Sequence, residues 1–403
     1  QERLLVVVAE DTSQAQVLVR ELPFYLAQDT EILQLPDWEI LPYDNFSPHQ
    51  DIVSERLRTL YRLPRSKRGI LILPMSALLQ RLPPRDYVEA NSLALQTGQA
   101  LDVESLRTAL SRSGYRSVHT VYEHGEYALR GSLMDLFPMG SSRPLRIDLL
   151  DDEIDSLRSF DPETQRTVEK VDAVDLLPAR EFPLDRRGIQ RFQQNWFAAF
   201  EVDHDLCPMF QEISQGRAPG GAEYYLPLFF ERCELLLDYL PEDAAIIAVG
   251  DHHSAANRFR QEAQRRYEEF NIDPRRPLLS PNSLFASVEE LYRELKRFAV
   301  LELRRQADAP AHIETGVRPP PQLASGAEDQ GLQARLTALL GTHSGPVLLC
   351  AESEGRREIL QDALDDEAPV LANWAAFCDS GAPFGLTVAP IDRGLHLSGT
   401  DPL

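Results

Sequence analysis

Three short runs of unbroken aliphatic character set the tightest constraint on this chain. They are Leu4-Leu5-Val6-Val7-Val8-Ala9, Gly69-Ile70-Leu71-Ile72-Leu73 and Ala244-Ala245-Ile246-Ile247-Ala248-Val249. A strand with one wet face alternates polar and apolar residues; these runs do not, so they read as strands buried on both faces. Helical periodicity lies between them. Residues 13–28 carry Ala15, Val17-Leu18-Val19 and Leu22 leading to Phe24 and Leu26, and further helices fall near Glu55–Tyr61 and over Ser76–Gln80. Glu31–Leu35 adds a strand. Strands alternating with helices give a parallel sheet, to which the third aliphatic run returns.

Pro83-Pro84 ends that pattern. From Leu93 to Pro178 a helix over Val103–Ser113 precedes short strands over Tyr127–Phe137, Pro144–Leu150 and Glu153–Phe160, with a later one near Val168–Leu176. Turn residues at Met139–Ser142 and Asp161-Pro162 separate them, which describes an antiparallel α+β domain. An amphipathic helix over Gln190–Phe200, an aromatic turn-rich stretch at Gly220–Phe230 and a polar helix over Ser254–Phe270 follow. Residues 305–330, with Pro319-Pro320-Pro321, have little to bury and read as a linker. Beyond them come a helix near Leu332–Leu340, a strand Val347–Cys350, a helix Glu354–Leu364 and a strand Gly385–Ala389. The expected class is α/β and multi-domain: a parallel-sheet body, an inserted antiparallel α+β domain and a C-terminal α/β domain. The chain opens directly into a strand and ends just after one, as a piece of a longer protein would.

The 63 acidic and 41 basic residues leave a formal charge of −22. That balance opposes a broad grip on nucleic acid, which needs a basic surface, but leaves room for a local basic patch. Cys207, Cys233, Cys350 and Cys378 have no metal or redox spacing, so reduced, mostly buried thiols in a reducing, cytoplasmic compartment are expected. No apolar run has the length of a membrane helix. The phosphate-cradling pattern GxxxxGK[ST] is absent. After Val249 stands Gly250-Asp251-His252-His253, where an ATPase motor would place an Asp-Glu pair to hold magnesium. His252-His253 read as surface-loop histidines and Asp151-Asp152-Glu153 as a solvated turn. No catalytic residue, cofactor or metal is expected.

The informative stretch runs from Glu123 to Pro162. Alternation puts Leu145, Ile147 and Leu149 on one strand face and Arg146, Asp148 and Leu150 on the other. If the aliphatic face meets the 103–113 helix, Arg146 and Leu150 face outward, with Arg130 on the strand expected next to theirs. Two guanidinium forks around an exposed aliphatic residue make a candidate protein-binding hot spot. On spacing alone the plainer alternative is favoured: both arginines pair with Asp148 and nearby acids on a solvated sheet.

The stretch resembles domain 2 of the excision-repair protein UvrB, and more closely the transcription-repair coupling factor family (Mfd). The carriers are Asp37-Trp38-Glu39-Ile40-Leu41-Pro42-Tyr43-Asp44-Asn45-Phe46, Glu123-His124-Gly125-Glu126-Tyr127, Leu136-Phe137-Pro138-Met139-Gly140, Leu176-Leu177-Pro178-Ala179 and Glu352-Ser353-Glu354-Gly355-Arg356-Arg357. The resemblance implies a UvrB-like, degenerate helicase body. Its parts would be 1–92 (domain 1A), 93–178 (UvrA-binding domain 2), 179–243 (domain 1B), 244–304 (return to the body), 305–330 (linker) and 331–403 (domain 3). It implies a non-catalytic adaptor that recruits UvrA through Arg130, Arg146 and Leu150. RNA polymerase and DNA would be engaged only by regions absent here, and the motor and C-terminal domain would contact this region intramolecularly. Some relatives carry an aromatic residue at the Leu150 place. The link at Gln80–Asn91 is too short for a DNA-clamping hairpin, and Asp37, Trp38, Tyr43 and Phe46 would close the 1A core. Two other readings are a UvrB-like DNA-binding ATPase subunit, opposed by the missing phosphate loop, and a body that mainly restrains the motor.

Overall fold

The computed structural model describes residues 3–304, 313–320, 332–343, 345–364 and 368–397. β1 (Leu4–Ala9) leads through α1 (Thr12–Tyr25) to β2 (Ile32–Gln34), α2 (Gln50–Arg62) and β3 (Gly69–Pro74). Every residue of β3 is buried, as its unbroken aliphatic run requires. α2 buries Val53, Leu57 and Leu60, one face of a helix at spacings of four and three. Two short helices follow, α3 (Met75–Leu79) and α4 (Arg85–Ala90), and α4 fills half of the short link in which no hairpin was expected.

Residues 93–176 supply β4 (Leu93–Gln96), α5 (Val103–Arg112), β5 (Arg116–Ser117), β6 (Glu126–Arg130), β7 (Leu133–Leu136), β8 (Leu145–Leu150), β9 (Glu153–Phe160), β10 (Thr167–Val171) and β11 (Ala173–Leu176). The expected single strand over Tyr127–Phe137 is instead a tight hairpin, β6 and β7. It turns at Gly131, whose φ of 64° suits glycine. The later strand also splits: β10 stays in the sheet and β11 leaves to pair with β4. The six-stranded order is β10-β9-β8-β7-β6-β5, antiparallel except at β5–β6. Ile147, Leu149, Ile154 and Leu157 join Leu106 and Leu110 of α5 in one apolar core, continuous with that of β1 and β3. The inserted segment therefore shares the core of the body.

The chain continues through α6 (Arg186–Ala199), α7 (Pro208–Ser214), α8 (Leu236–Tyr239), β12 (Ala245–Val249), α9 (His252–Phe270) and β13 (Ala299–Leu303). The parallel sheet has the order β13-β12-β1-β3-β2, so the third aliphatic run does return beside the first. A second core gathers Phe182, Phe192, Trp196, Phe210, Tyr224, Tyr225 and Phe229. Trp38 and Tyr43 belong to it, not to the core of the parallel sheet, and Phe46 of the same loop is 72% exposed. The expectation that these aromatics close the 1A core is corrected accordingly. His252 is corrected too: it opens α9 and is buried, 3.4 Å from the Glu302 carboxylate.

Two compact units divide the chain, residues 1–15 with 31–303, and residues 16–30 with 304–403. Most of α1 thus belongs to the second unit, where Tyr25 meets Trp374 edge-on at 5.7 Å and Arg20 pairs with Asp392. In that unit β15 (Val347–Ala351) and β16 (Phe384–Val388) pair in parallel. The expected linker holds the short strand β14 (Val317–Arg318), which pairs with β17 (His396–Leu397); residues 305–312 and 321–330 lie outside the described residues. Cys207 is buried, but Cys350 and Cys378 are exposed, against the expectation of mostly buried thiols. Among the described residues no helix is long and apolar enough to cross a membrane.

Candidate functional site

Strand register brings the sequence-singled residues to one face of the six-stranded sheet. Arg130 pairs across β6–β7 with Leu133, and Leu133 across β7–β8 with Asp148. One pleat away, Ala128, Asp135, Arg146, Arg158 and Lys170 form a second row through five strands. Residues in register share a face, so both arginines lie opposite Leu145, Ile147 and Leu149. They are not on neighbouring strands as expected, because the β6–β7 hairpin inserts β7 between them. Two strand spacings and one pleat repeat separate their backbones by roughly 12 Å.

Arg146 is held firmly. Its Nε and Nη2 donate to the two carboxylate oxygens of Asp135 at 2.7 and 3.0 Å, a fork-to-fork pair. Its guanidinium lies 4.9 Å from the Phe160 ring centre. The bond to Asp135 raises the guanidinium's pKa further, against the opposing effect of burial. Asp135 is 3% exposed, so its carboxylate depends on Arg146. The plainer alternative had the arginines paired with Asp148 and nearby acids; for Arg146 the acid is Asp135, while Asp148 accepts from the Ser156 hydroxyl. Arg130 is exposed and tethered by one arm, donating from Nη2 to the His119 carbonyl at 2.5 Å. Leu150 is 67% exposed, at the end of β8 beside the turn where Asp151 takes a φ of 54°. Asp151-Asp152 is the solvated turn the sequence indicated.

On this same face, Val121, Ala128, Phe137 and Phe160 form a small buried cluster. His124 fixes the neighbouring loop: its ring stacks on Phe137 at 3.9 Å, and its two nitrogens reach Asp51 Oδ1 at 2.7 Å and the Ser141 carbonyl at 2.8 Å. Sequence reasoning missed Arg158, directly across from Arg146, whose buried Nε has no hydrogen-bond partner among the described residues. Only the β8–β9 register reveals that juxtaposition.

The C-terminal edge of the parallel sheet, where α/β folds place nucleotides, is acidic here. Glu10 Oε1 accepts from the Asp251 amide, and Asp11 Oδ1 accepts from the Gln14 amide at the start of α1. A side chain on Gly250 would meet the Glu10 carboxyl carbon at 2.5 Å, so glycine lets this carboxylate pack against the turn. Among the described residues no cluster of His, Cys, Asp and Glu has the makings of a metal site.

Comparisons with known proteins find two family matches along the chain. Residues 93–182 match the model of the UvrB interaction domain, and residues 340–401 that of the MFD D3 domain. The chain is 44% identical over 363 residues to a transcription-repair-coupling factor of Escherichia coli (strain K12), covering 89% of this chain and 31% of that protein. It is 42% identical over 371 residues to that of Haemophilus influenzae, covering 90% and 32%. A Bacillus subtilis protein of the same name is 26% identical over 310 residues, covering 72% and 26%. The chain thus spans about a third of the length of the Escherichia coli and Haemophilus influenzae relatives.

Proposed function

We propose that this chain, a relative of the transcription-repair-coupling factors with a UvrB interaction domain and a D3 domain, is a non-catalytic adaptor that recruits UvrA in the cytoplasm by offering it the surface it otherwise meets on UvrB. The observation that carries the proposal is the outer sheet face inside the matched domain. There a carboxylate-locked Arg146, a singly tethered Arg130 and an exposed Leu150 share one side. A guanidinium already fixed in place loses little freedom on binding, and an exposed leucine supplies apolar area beside it. In this reading residues 93–178 are the UvrA-binding part, set on a UvrB-like body of 1–92, 179–243 and 244–304, with domain 3 at 331–403. RNA polymerase and DNA are engaged by other regions of a longer protein, some of which contact this one intramolecularly. The acids at the sheet edge oppose the alternative of an ATPase subunit, because they repel a nucleotide's phosphates.

The test is titration of UvrA against wild type and variants, with thermal melts in parallel. Arg130→Ala weakens binding by roughly 30-fold, the loss of about 2 kcal/mol typical of an interface arginine. Leu150→Ala costs about 1–2 kcal/mol of affinity from lost apolar contact. Arg146→Lys binds less well than wild type because an ammonium cannot reproduce the fork. Wild-type affinity in both arginine variants places the adaptor surface elsewhere.

A further inference from the structure

The six cations Arg56, Arg58, Arg62, Arg65, Lys67 and Arg68 fall within one short stretch of an otherwise acidic chain. Arg56 turns inward to Glu181; the other five line one cleft of about 1020 Å³. The opposite wall is the Met139–Ser141 turn and the end of β11, Val174 to Leu177. The walls are held together: the Gly140 amide donates to Ser54 Oγ at 2.8 Å, and His124 ties Asp51 to Ser141. The cleft is therefore built before anything enters it.

Its acids are largely spoken for. Glu31 pairs with Arg62 at 2.6 Å and Glu55 lies 3.2 Å from Arg58, while Asp175 lines the cleft as an exposed acid. Arg65 reaches Glu89 and lies 4.5 Å over the Tyr61 ring. Lys67 and Arg68 are exposed, and among the described residues no carboxylate pairs with either. Positive charge is thus left over at one end, beside the partly exposed Tyr61 and Val174.

We propose that this cleft binds a short acidic peptide segment of a partner protein, its carboxylates on Lys67, Arg68 and the neighbouring arginines and its apolar side chains against Tyr61 and Val174. The site shares no residue with the Arg130, Arg146 and Leu150 face. An acidic peptide fits better than a nucleic acid for two reasons. A continuous phosphate backbone extends past the patch into the field of a chain carrying −22, which opposes it. The cleft wall also offers apolar surface that carboxylate-rich peptides can use and phosphates cannot.

Fluorescence anisotropy of the full 403-residue chain tests this, with a labelled twelve-residue probe peptide in which glutamates alternate with leucines. Twelve-nucleotide single-stranded and duplex DNA probes run in parallel. Saturable binding of the peptide at 50 mM salt is expected, falling about tenfold or more in Lys67→Glu/Arg68→Glu and clearly in Lys67→Ala/Arg68→Ala, with melting unchanged in both. Arg107→Glu, a charge reversal outside the cleft, retains wild-type binding. No saturable binding, or equal binding by the wild type and both double variants, overturns the proposal. DNA bound as tightly as the peptide overturns the choice of a peptide partner.

Discussion

Arg146 has two jobs, and they separate at the level of single residues. It completes the outer face, and it satisfies Asp135, whose carboxylate is otherwise buried. Truncation therefore damages the fold as well as the surface: a buried carboxylate stripped of its partner costs more than the pair itself contributes. Arg146→Ala should lose about 2–4 kcal/mol in urea melts, whereas Arg130→Ala, exposed and tethered only to the His119 carbonyl and the Thr120 hydroxyl, stays within about 0.5 kcal/mol of wild type. Adding Asp135→Asn to Arg146→Ala should restore at least about 1 kcal/mol, the coupling of a contacting pair. Additive losses would mean Asp135 draws its support from elsewhere. Because of this double role, loss of UvrA binding in Arg146→Ala is informative only beside its melt, while Arg130→Ala reports on the surface alone.

Among the elements, the Met139–Ser141 turn shows how local chemistry fixes the sheet to the body. Gly140 has a φ of 81°, and a Cβ there would sit 2.9 Å from Leu177 Cδ1 and 3.3 Å from Arg58 Cβ. Gly140→Ala combines backbone strain with overpacking and should cost about 2–4 kcal/mol, whereas alanine at Gly131, with the same left-handed backbone but open space around it, should cost only about 1 kcal/mol. Comparable urea midpoints for the two would show that the turn yields without strain. The sequence made such elements legible where periodicity was clean: β1, β3 and β12 as aliphatic runs, and α5 by Leu106 and Leu110. It failed where one glycine or one change of partner decides the outcome. Tyr127–Phe137 has strand composition throughout, and only the left-handed Gly131 splits it. Val168–Leu176 likewise hides the departure of β11 to β4. The candidate face was half legible: alternation gave the side on which Arg146 lies, but Asp135 as its partner and Arg158 as its neighbour follow from register across three strands. Trp38 and Tyr43 were rightly read as structural, yet their core is assembled from segments more than 100 residues away, which no local pattern encodes.

For the whole molecule, pH acts through the half-buried Glu223 carboxyl and through the overall charge. Glu223 sits in the 3-10 stretch Ala222–Phe229, with the Ser47 hydroxyl donating to it at 2.8 Å. Burial pushes its carboxyl up to about 7, against an ordinary value of 4.5, and the hydrogen bonds to it only partly offset this. Between those two values the folded chain holds a proton that the unfolded chain has released. Linkage then requires stability to fall as pH rises from about 4.5 through 7, with the benefit of the neutral carboxyl present below that window and lost above it. The net charge of −22 works in the same direction, since self-repulsion in the compact state grows as acids ionise. Two variables distinguish the contributions. Salt screens long-range repulsion between surface charges but acts less on a half-buried group, whereas Glu223→Gln removes the local ionisation and changes the overall charge by only one. Urea midpoints measured at pH 5 and pH 8, in low and high salt, should show wild type losing on the order of 1–2 kcal/mol across the interval even in high salt. Glu223→Gln should then have a nearly flat high-salt profile while keeping the salt-sensitive part of its low-salt slope. A Gln variant whose high-salt slope matches wild type would show that Glu223 ionises in the folded chain without penalty, and that the pH dependence belongs to the surface charge.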